Sequence, residues 1–159
     1  MSSPFVPKWK HDVFVSFKGG DGTETFRSPL FKRLKQVGIG HFVDDNREDA
    51  GKDIESKRLK ALEEARFSLV VFSTNYVDCS QCLNWLVKIL NCQRHPGFLV
   101  VPIFYENRAK VLESARKRVE KEKKDAKKKE WRGALEEVKK SSGYFELKAD
   151  RECLHNRQN

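Results

Sequence analysis

The sequence lacks any hydrophobic run long enough to cross a lipid bilayer. A membrane-spanning helix needs about 20 consecutive apolar residues, and the apolar runs here are short segments separated by charged residues. The first residues, MSSPFVPKWKHD, also lack the apolar stretch of a secretory signal. With neither element, we expect no membrane association and a cytoplasmic location, with the nucleus as a further compartment.

Cysteine is scarce as well, with four residues at positions 79, 82, 92 and 153. In a protein that is not secreted, such cysteines are expected to be free thiols. Cys79 and Cys82, and likewise Cys92 and His95, have the spacing of zinc-ligand pairs. If residues 82–92 form one helix, however, the pairs lie about 15 Å apart at 1.5 Å per residue. One ion cannot bridge them, so we predict no metal site.

Two familiar catalytic patterns are missing. The four histidines, His11, His41, His95 and His155, are scattered without a partnered serine or cysteine nucleophile, so a hydrolytic triad has no support. The glycine-rich segment 18–23 lacks the Gly-Lys-Ser/Thr ending of a phosphate-binding P-loop. The sequence therefore predicts no required cofactor.

Positive charge is concentrated in one segment. Residues 107–140 contain 14 Lys and Arg against 7 Asp and Glu, which accounts for most of the net charge of +9. Such a stripe attracts phosphates, but no aromatic residues are interleaved with the lysines as in single-strand binding proteins. We interpret it as a solvated helix face, and binding of nucleic acid is the less favoured alternative.

Short apolar runs alternate with helical patterns along the chain. The strand-like runs cover residues 12–17, 39–43, 67–72 and 98–105, and helical spacing follows at 30–37, 54–66, 82–92 and 111–138. This order is typical of an α/β, flavodoxin-like, doubly wound parallel sheet of about five strands. We predict one domain over residues 11–145, with flexible ends at 1–10 and 146–159.

Finer expectations concern individual helices. Ser28 followed by Pro29 indicates an N-cap and a first helical position, so the first helix is expected to begin late. Val37 and Leu59 are placed on the apolar faces of the first and second helices. Residues 111–138 are predicted to form one long, charged C-terminal helix that packs around Trp131.

Three segments together resemble plant TIR (Toll/interleukin-1 receptor/resistance) domains. The segment 12–21, DVFVSFKGGD, is similar to the family's first strand and loop, and residues 38–66 to its second strand, BB loop and second helix. The segment 67–89 is similar to its third strand and the following WCLDEL helix, and WRGAL at 131–135 to its last helix. The resemblance implies the TIR fold, cleavage of NAD⁺ at the nicotinamide–ribose bond, and immune signalling through TIR–TIR association.

The catalytic positions depart from the family pattern. Trp85 occupies the position of the catalytic glutamate, and Gln81 replaces the tryptophan that opens the same motif. In the first loop Lys18 and Gly20 replace Arg and Glu, whereas Gly19 and Asp21 remain. A neutral indole cannot stabilise the positive charge that develops on the ribose. We therefore predict no intact catalytic residue, and the candidate nucleotide-binding residues are Lys18, Gly19, Gly20, Asp21 and Gln81.

The resemblance also implies partners and alternatives. Other TIR domains are the expected partners, with Ser28, Pro29 and Trp131 as self-association candidates, although the family's histidine after Ser28 is Pro29 here. NAD⁺ remains a candidate substrate or ligand. The alternative function is NAD⁺ hydrolysis through a displaced carboxylate, for which the nearby acids in the sequence are Asp78, Glu63 and Glu64.

Overall fold

The computed structural model describes residues 11–20, 24–46, 52–94, 97–141, 143–147 and 154–158. Strands and helices alternate in these ranges, as the apolar pattern predicts. The strands are β1 (His11–Ser16), β2 (His41–Asp44), β3 (Ala65–Phe72), β4 (Leu99–Phe104), β5 (Gly143–Leu147) and β6 (Leu154–Gln158). The helices are α1 (Glu24–Gln36), α2 (Lys52–Glu63), α3 (Thr74–Asp78), α4 (Ser80–Asn91), α5 (Arg108–Lys121) and α6 (Asp125–Lys140).

The strands form one sheet in the order β2-β1-β3-β4-β5-β6. All neighbours from β2 to β5 are parallel, and β6 pairs antiparallel with β5. The predicted doubly wound parallel sheet is therefore confirmed. Because the order reverses between β1 and β3, the carboxyl ends of these two strands border the crevice where such folds bind ligands.

The sheet separates two hydrophobic cores. Alternation along β1 sends Val13 and Val15 to one face, where Leu34 of α1 packs on them, and Phe14 to the other face. The second core is larger and includes residues of α2 to α6. Both faces of β1 are thus buried, which explains why its three central residues, 13–15, are all apolar.

Helix α1 begins earlier than predicted. It starts at Glu24, so Pro29 lies inside it and Ser28 is not its N-cap. Proline has no N–H to give to the carbonyl four residues earlier, but its fixed φ is compatible with a helix. Val37 was expected on the apolar face, yet it follows the end of α1 and is 50% exposed.

In α2 the prediction for Leu59 is wrong, because this side chain is 43% exposed while Arg58 beside it is buried. The reason is a partner that the periodicity does not reveal: the Arg58 guanidinium lies 2.9 Å from the buried carboxylate of Asp44. A buried ion pair therefore replaces one apolar position of the stripe.

The C-terminal region also differs from the prediction of one long helix. The chain leaves the helical conformation at Glu122, whose side chain accepts hydrogen bonds from the N–H groups of Lys123 and Lys124, and α6 then begins.

The predicted domain end at residue 145 is wrong as well, because Glu146 and Leu147 belong to β5 and residues 154–158 form β6. Over the described ranges, no helix combines the length and apolar character of a membrane span.

Candidate functional site

The first loop lies against the end of β2, at the switch point of the sheet. The N–H of Phe17 donates to Asp44 O at 3.1 Å, and the N–H of Gly19 donates to Asp45 O at 2.8 Å. A Cβ on Gly19 would lie 3.3 Å from Asp45, so the close approach favours glycine. Gly20 has φ of +77°, the left-handed region that glycine adopts without strain. Lys18, Gly19 and Gly20 are therefore held at the carboxyl edge, whereas Asp21 lies outside the described residues.

A buried network of hydrogen bonds holds the carboxyl edge of the sheet together. The Ser16 and Tyr76 hydroxyls are 2.9 Å apart, and Asn46 Nδ2 donates to Ser16 Oγ at 3.3 Å and to Phe17 O at 2.8 Å. Asn46 adopts φ of +57°, and its N–H donates to Asp44 Oδ1 at 3.0 Å. Sequence reasoning missed this network, although Asp-Asp-Asn at 44–46 is a turn signal and asparagine tolerates the left-handed region.

Asp44 is the buried carboxylate of the site. Its side chain is 0% exposed and forms the ion pair with Arg58 that joins β2 to α2. Burial raises the pKa of Asp44, an effect that exceeds the opposing influence of the Asn46 N–H and of Arg58. Among the described residues, no hydrogen-bond partner is found for Asp44 Oδ2. This acid was not among those considered from the sequence.

The amino end of α4 lies close to the first loop. Cys79 caps the helix, with its sulfur accepting the Cys82 N–H at 3.3 Å. Lys18 acts electrostatically on both thiols, and the Gln81 N–H also donates to the Cys79 sulfur. Lys18 and the Gln81 backbone thus both help to lower the pKa of the Cys79 thiol.

Trp85 lies deeper, in the core between α4 and β1. Trp85 is only 3% exposed. Its ring stacks on the Phe14 ring, with the centroids 6.3 Å apart and the planes inclined by 26°. Lys88 Nζ lies 4.5 Å from the Trp85 ring centroid. The indole is therefore a packed core residue with a cation beside it.

The three carboxylates considered from the sequence do not come together at the carboxyl edge of the sheet. Glu63 and Glu64 precede β3 and lie at its amino end, and Glu63 acts electrostatically on Cys92, at the carboxyl end of α4. Asp78 follows β3, but its side chain is exposed. No described residue set contains three potential metal ligands in one group, and His95 and Cys153 lie outside the described residues.

The self-association candidates fall into two classes. Ser28 and Pro29 are exposed on α1. Trp131 is 1% exposed, and its Nε1–H donates to Asn84 Oδ1 at 2.9 Å, while Arg118 lies over its ring at 5.1 Å. The expectation that Trp131 contacts a partner is corrected, because the side chain joins α6 to α4 inside the domain.

The basic segment is partly neutralised by its own acids. Arg116 is paired with Glu113 and Glu120, and Arg118 with Glu122. A groove of about 410 Å³ runs between α5 and α6, and all its lining residues come from these two helices. Of the described nucleotide-binding candidates, which are Lys18, Gly19, Gly20 and Gln81, none lines this groove.

The family model for the TIR domain matches residues 10–154. The chain belongs to the TIR domain family. Among curated proteins, this TIR domain is similar to TMV resistance protein N of Nicotiana glutinosa and to disease resistance protein RPV1 of Vitis rotundifolia. It is 45% identical to each over 105 residues, which is 66% and 65% of this chain but 9% and 7% of those proteins.

Among solved structures, the domain resembles the TIR domains of the activated Roq1 resistosome, a complex that directly recognises the pathogen effector XopQ. The TM-score is 0.72 at 32% identity, over 88% of this chain and 89% of that chain. The resemblance to plant TIR domains that the motifs indicate is thereby confirmed. The chain spans less than a tenth of the length of the curated relatives described above.

Proposed function

We propose that this TIR domain acts in plant immune signalling as an association module, and that it does not hydrolyse NAD⁺. The similarity to plant disease resistance proteins and to the Roq1 TIR domains supports the signalling role. The observation that carries the second part is Trp85, which is buried at the position that the resemblance assigns to the catalytic glutamate.

The chemistry explains why this position matters. When nicotinamide leaves NAD⁺, positive charge develops on the ribose, and a preorganised anion beside the ring stabilises it. An indole offers one N–H donor and no negative charge. Losing one such preorganised group typically lowers a rate by about 100- to 1000-fold. The packing of the Trp85 ring on Phe14 also occupies the volume that a shorter side chain would leave open.

NAD⁺ binding without cleavage remains compatible with the first loop. Lys18 is a point charge that can attract a phosphate, although it lacks the planar fork of arginine. Gly19 and Gly20 keep the loop backbone close to the sheet edge. We therefore propose NAD⁺ as a ligand at most, with Lys18 as its principal contact.

Association with other TIR domains is proposed to use the exposed surface of α1. The test is sedimentation velocity of the chain alone and mixed with the TIR domain of TMV resistance protein N. We expect a complex that Ser28→Arg weakens at least about tenfold, because the long charged side chain obstructs the surface. Ser56→Arg is the matched control, since Ser56 is also exposed but lies on α2. Absence of any complex, or equal weakening by both variants, would contradict the proposed surface.

The second candidate, NAD⁺ hydrolysis by a displaced carboxylate, has one observation in its favour. Asp44 lies at the carboxyl edge, and its Oδ2 has no partner among the described residues. Its Oδ1, however, is engaged by Arg58 and by the Asn46 N–H. We favour a structural role for this carboxylate because it holds β2 against α2. Nucleic-acid binding is disfavoured by the ion pairs within α5.

A further inference from the structure

Two thiols meet at the amino end of α4 in a Cys-x-x-Cys arrangement that the proposed function does not use. Cys79 is the N-cap of this twelve-residue helix, and Cys82 lies in its first turn. The Cys79 sulfur accepts a hydrogen bond from the Cys82 N–H at 3.3 Å. Both cysteines are free thiols.

The surroundings stabilise a thiolate on Cys79 alone. The hydrogen bond from the Cys82 thiol is the main cause that lowers the pKa of Cys79 to about 6, with further help from backbone N–H groups and from Lys18. Burial, followed by the neighbouring Cys79, raises the pKa of Cys82. Lys18 and Asp44, which is paired with Arg58, also act on Cys82. Tyr76 lies in the same cluster, and burial raises its pKa well above the usual value.

We propose that Cys79 and Cys82 form a redox-active dithiol that closes to an intramolecular disulfide when a small peroxide reaches the edge of the site. The roles follow from exposure, because Cys79 is 9% exposed whereas Cys82 is 0% exposed. Cys79 is therefore the attacking sulfur and Cys82 the resolving one. The proposal is independent of whether the domain binds or cleaves NAD⁺.

The reaction is balanced with hydrogen peroxide as the oxidant. The Cys79 thiolate attacks one peroxide oxygen, the O–O bond breaks, and hydroxide leaves and is protonated to water, so that Cys79 becomes a sulfenic acid. The Cys82 sulfur then attacks the Cys79 sulfur, the S–O bond breaks, and the departing oxygen takes the Cys82 proton and leaves as water. Two thiols lose two electrons and two protons, and one peroxide yields two waters.

The chain provides a convenient way to observe the product. Cleavage after Arg66 and Lys88 releases the peptide 67–88, which holds Cys79 and Cys82 and no other cysteine, and Cys92 falls in the next peptide. The folded protein is treated with stoichiometric hydrogen peroxide, quenched with catalase, denatured, alkylated with N-ethylmaleimide and digested. We expect peptide 67–88 to lose both alkylation sites and to be lighter by two hydrogen atoms, while Cys92 is alkylated in full.

Variants distinguish oxidation of the Cys79–Cys82 pair from non-specific oxidation of the cysteines. In Cys82→Ala the reaction should stop at a sulfenic acid on Cys79, which dimedone traps, and Cys92→Ala should leave disulfide formation unchanged.

The oxidation rate of the parent should rise with a midpoint near pH 6, as the Cys79 thiolate forms, and Lys18→Gln should raise this midpoint. In urea the midpoint should move to about 8.5, the ordinary value for a thiol.

The proposal would be overturned by equal oxidation of Cys79 and Cys92, or by a midpoint near 8.5 in the folded parent. A parent in which peptide 67–88 retains both alkylation sites would also contradict it. Because Cys82 is fully buried and its truncation costs stability, the rate measurement on the parent decides the question even if that variant fails to fold.

Discussion

At the scale of single residues, the Phe14 ring is the centre of an aromatic cluster beside the site. This ring stacks on Phe42 at 5.5 Å and on Trp85 at 6.3 Å between centroids. Offset aromatic pairs of this kind contribute about 0.5–1.5 kcal/mol beyond the area that they bury. The Trp85 side chain therefore stabilises the fold, independently of any role in chemistry.

Removing this ring should be costly. Trp85→Ala is expected to lower the free energy of unfolding by about 3–5 kcal/mol, the usual cost of truncating a buried tryptophan. The truncation leaves a cavity that the surrounding core closes only in part. Urea denaturation followed by circular dichroism measures the change. Trp85→Phe is the control, since it keeps a ring against Phe14 and should cost less than half as much. A Trp85→Ala variant as stable as the parent would show that the indole does not support the core.

Which residues are buried was only partly predictable from the sequence. Apolar residues in β1 and β3 are buried as expected, because continuous apolar runs have few alternatives to a doubly covered strand. The burial of Arg58 was not predicted, whereas Trp131 was expected to pack within the C-terminal helical region and does so. Each is buried through one long-range polar partner, Asp44 or Asn84, that helical spacing does not reveal.

At the scale of secondary-structure elements, hydrogen bonds between elements set where the short helices begin. Helix α3 has only five residues and could not be recognised from periodicity. Ser73 caps it by accepting the Tyr76 N–H at 3.1 Å, and Glu106, which follows β4, accepts from Thr74 N and Thr74 Oγ1 at 3.0 Å each. A residue 32 positions away therefore completes the helix terminus.

This contact gives a pH-dependent prediction. Burial raises the pKa of Glu106, but the Thr74 hydrogen bonds and Lys110 outweigh it and the pKa is lowered from 4.5. The stabilisation is therefore present above pH 4.5 and is lost as the pH falls through the lower folded value. Glu106→Ala should cost about 1 kcal/mol in unfolding free energy at pH 7, as for a lost helix cap.

Two comparisons check this assignment. The difference between the parent and Glu106→Ala should shrink when denaturation is repeated at acidic pH. Lys110→Ala should cost less than about 0.5 kcal/mol, because the Lys110 side chain is 68% exposed and exposed ion pairs contribute little. A pH-independent difference would mean that the Glu106 charge is not what stabilises α3.

The elements after β4 were less predictable than those before it. The region 111–138 has uninterrupted helix-forming residues, and the break at 122–124 depends on where α6 must turn back to place Trp131 beside α4. Strands β5 and β6 are short, and their sequences contain charged residues. They form strands because they pair with neighbouring strands, and their local sequence alone does not predict a strand.

At the scale of the whole molecule, topology alone brings the candidate residues together. The reversal of strand order places the first loop, the end of β2 and the amino end of α4 at one edge. The motifs allowed this location to be predicted, because the family's loops follow these strands. The sequence could not show that Trp85 is packed inside the domain, since its helical position is compatible with either the core or the crevice.

The carboxylate that is missing at position 85 can be restored by substitution. In Trp85→Glu the new side chain would lie near Lys88, whose Nζ is 4.5 Å from the present ring centroid. If this variant remains folded, it should release more nicotinamide than the parent, because the substitution restores the anion. No gain in a folded variant would show that the first-loop substitutions, or the Gln81 position, also limit the reaction.

The most direct test is nicotinamide release from NAD⁺ by the purified, folded parent, followed by chromatography at protein concentrations high enough to permit association. We expect nicotinamide to be released at a rate indistinguishable from that of NAD⁺ incubated without protein. Sustained release of nicotinamide in proportion to protein concentration would contradict it, and would turn attention to Asp44 as the acid of the site.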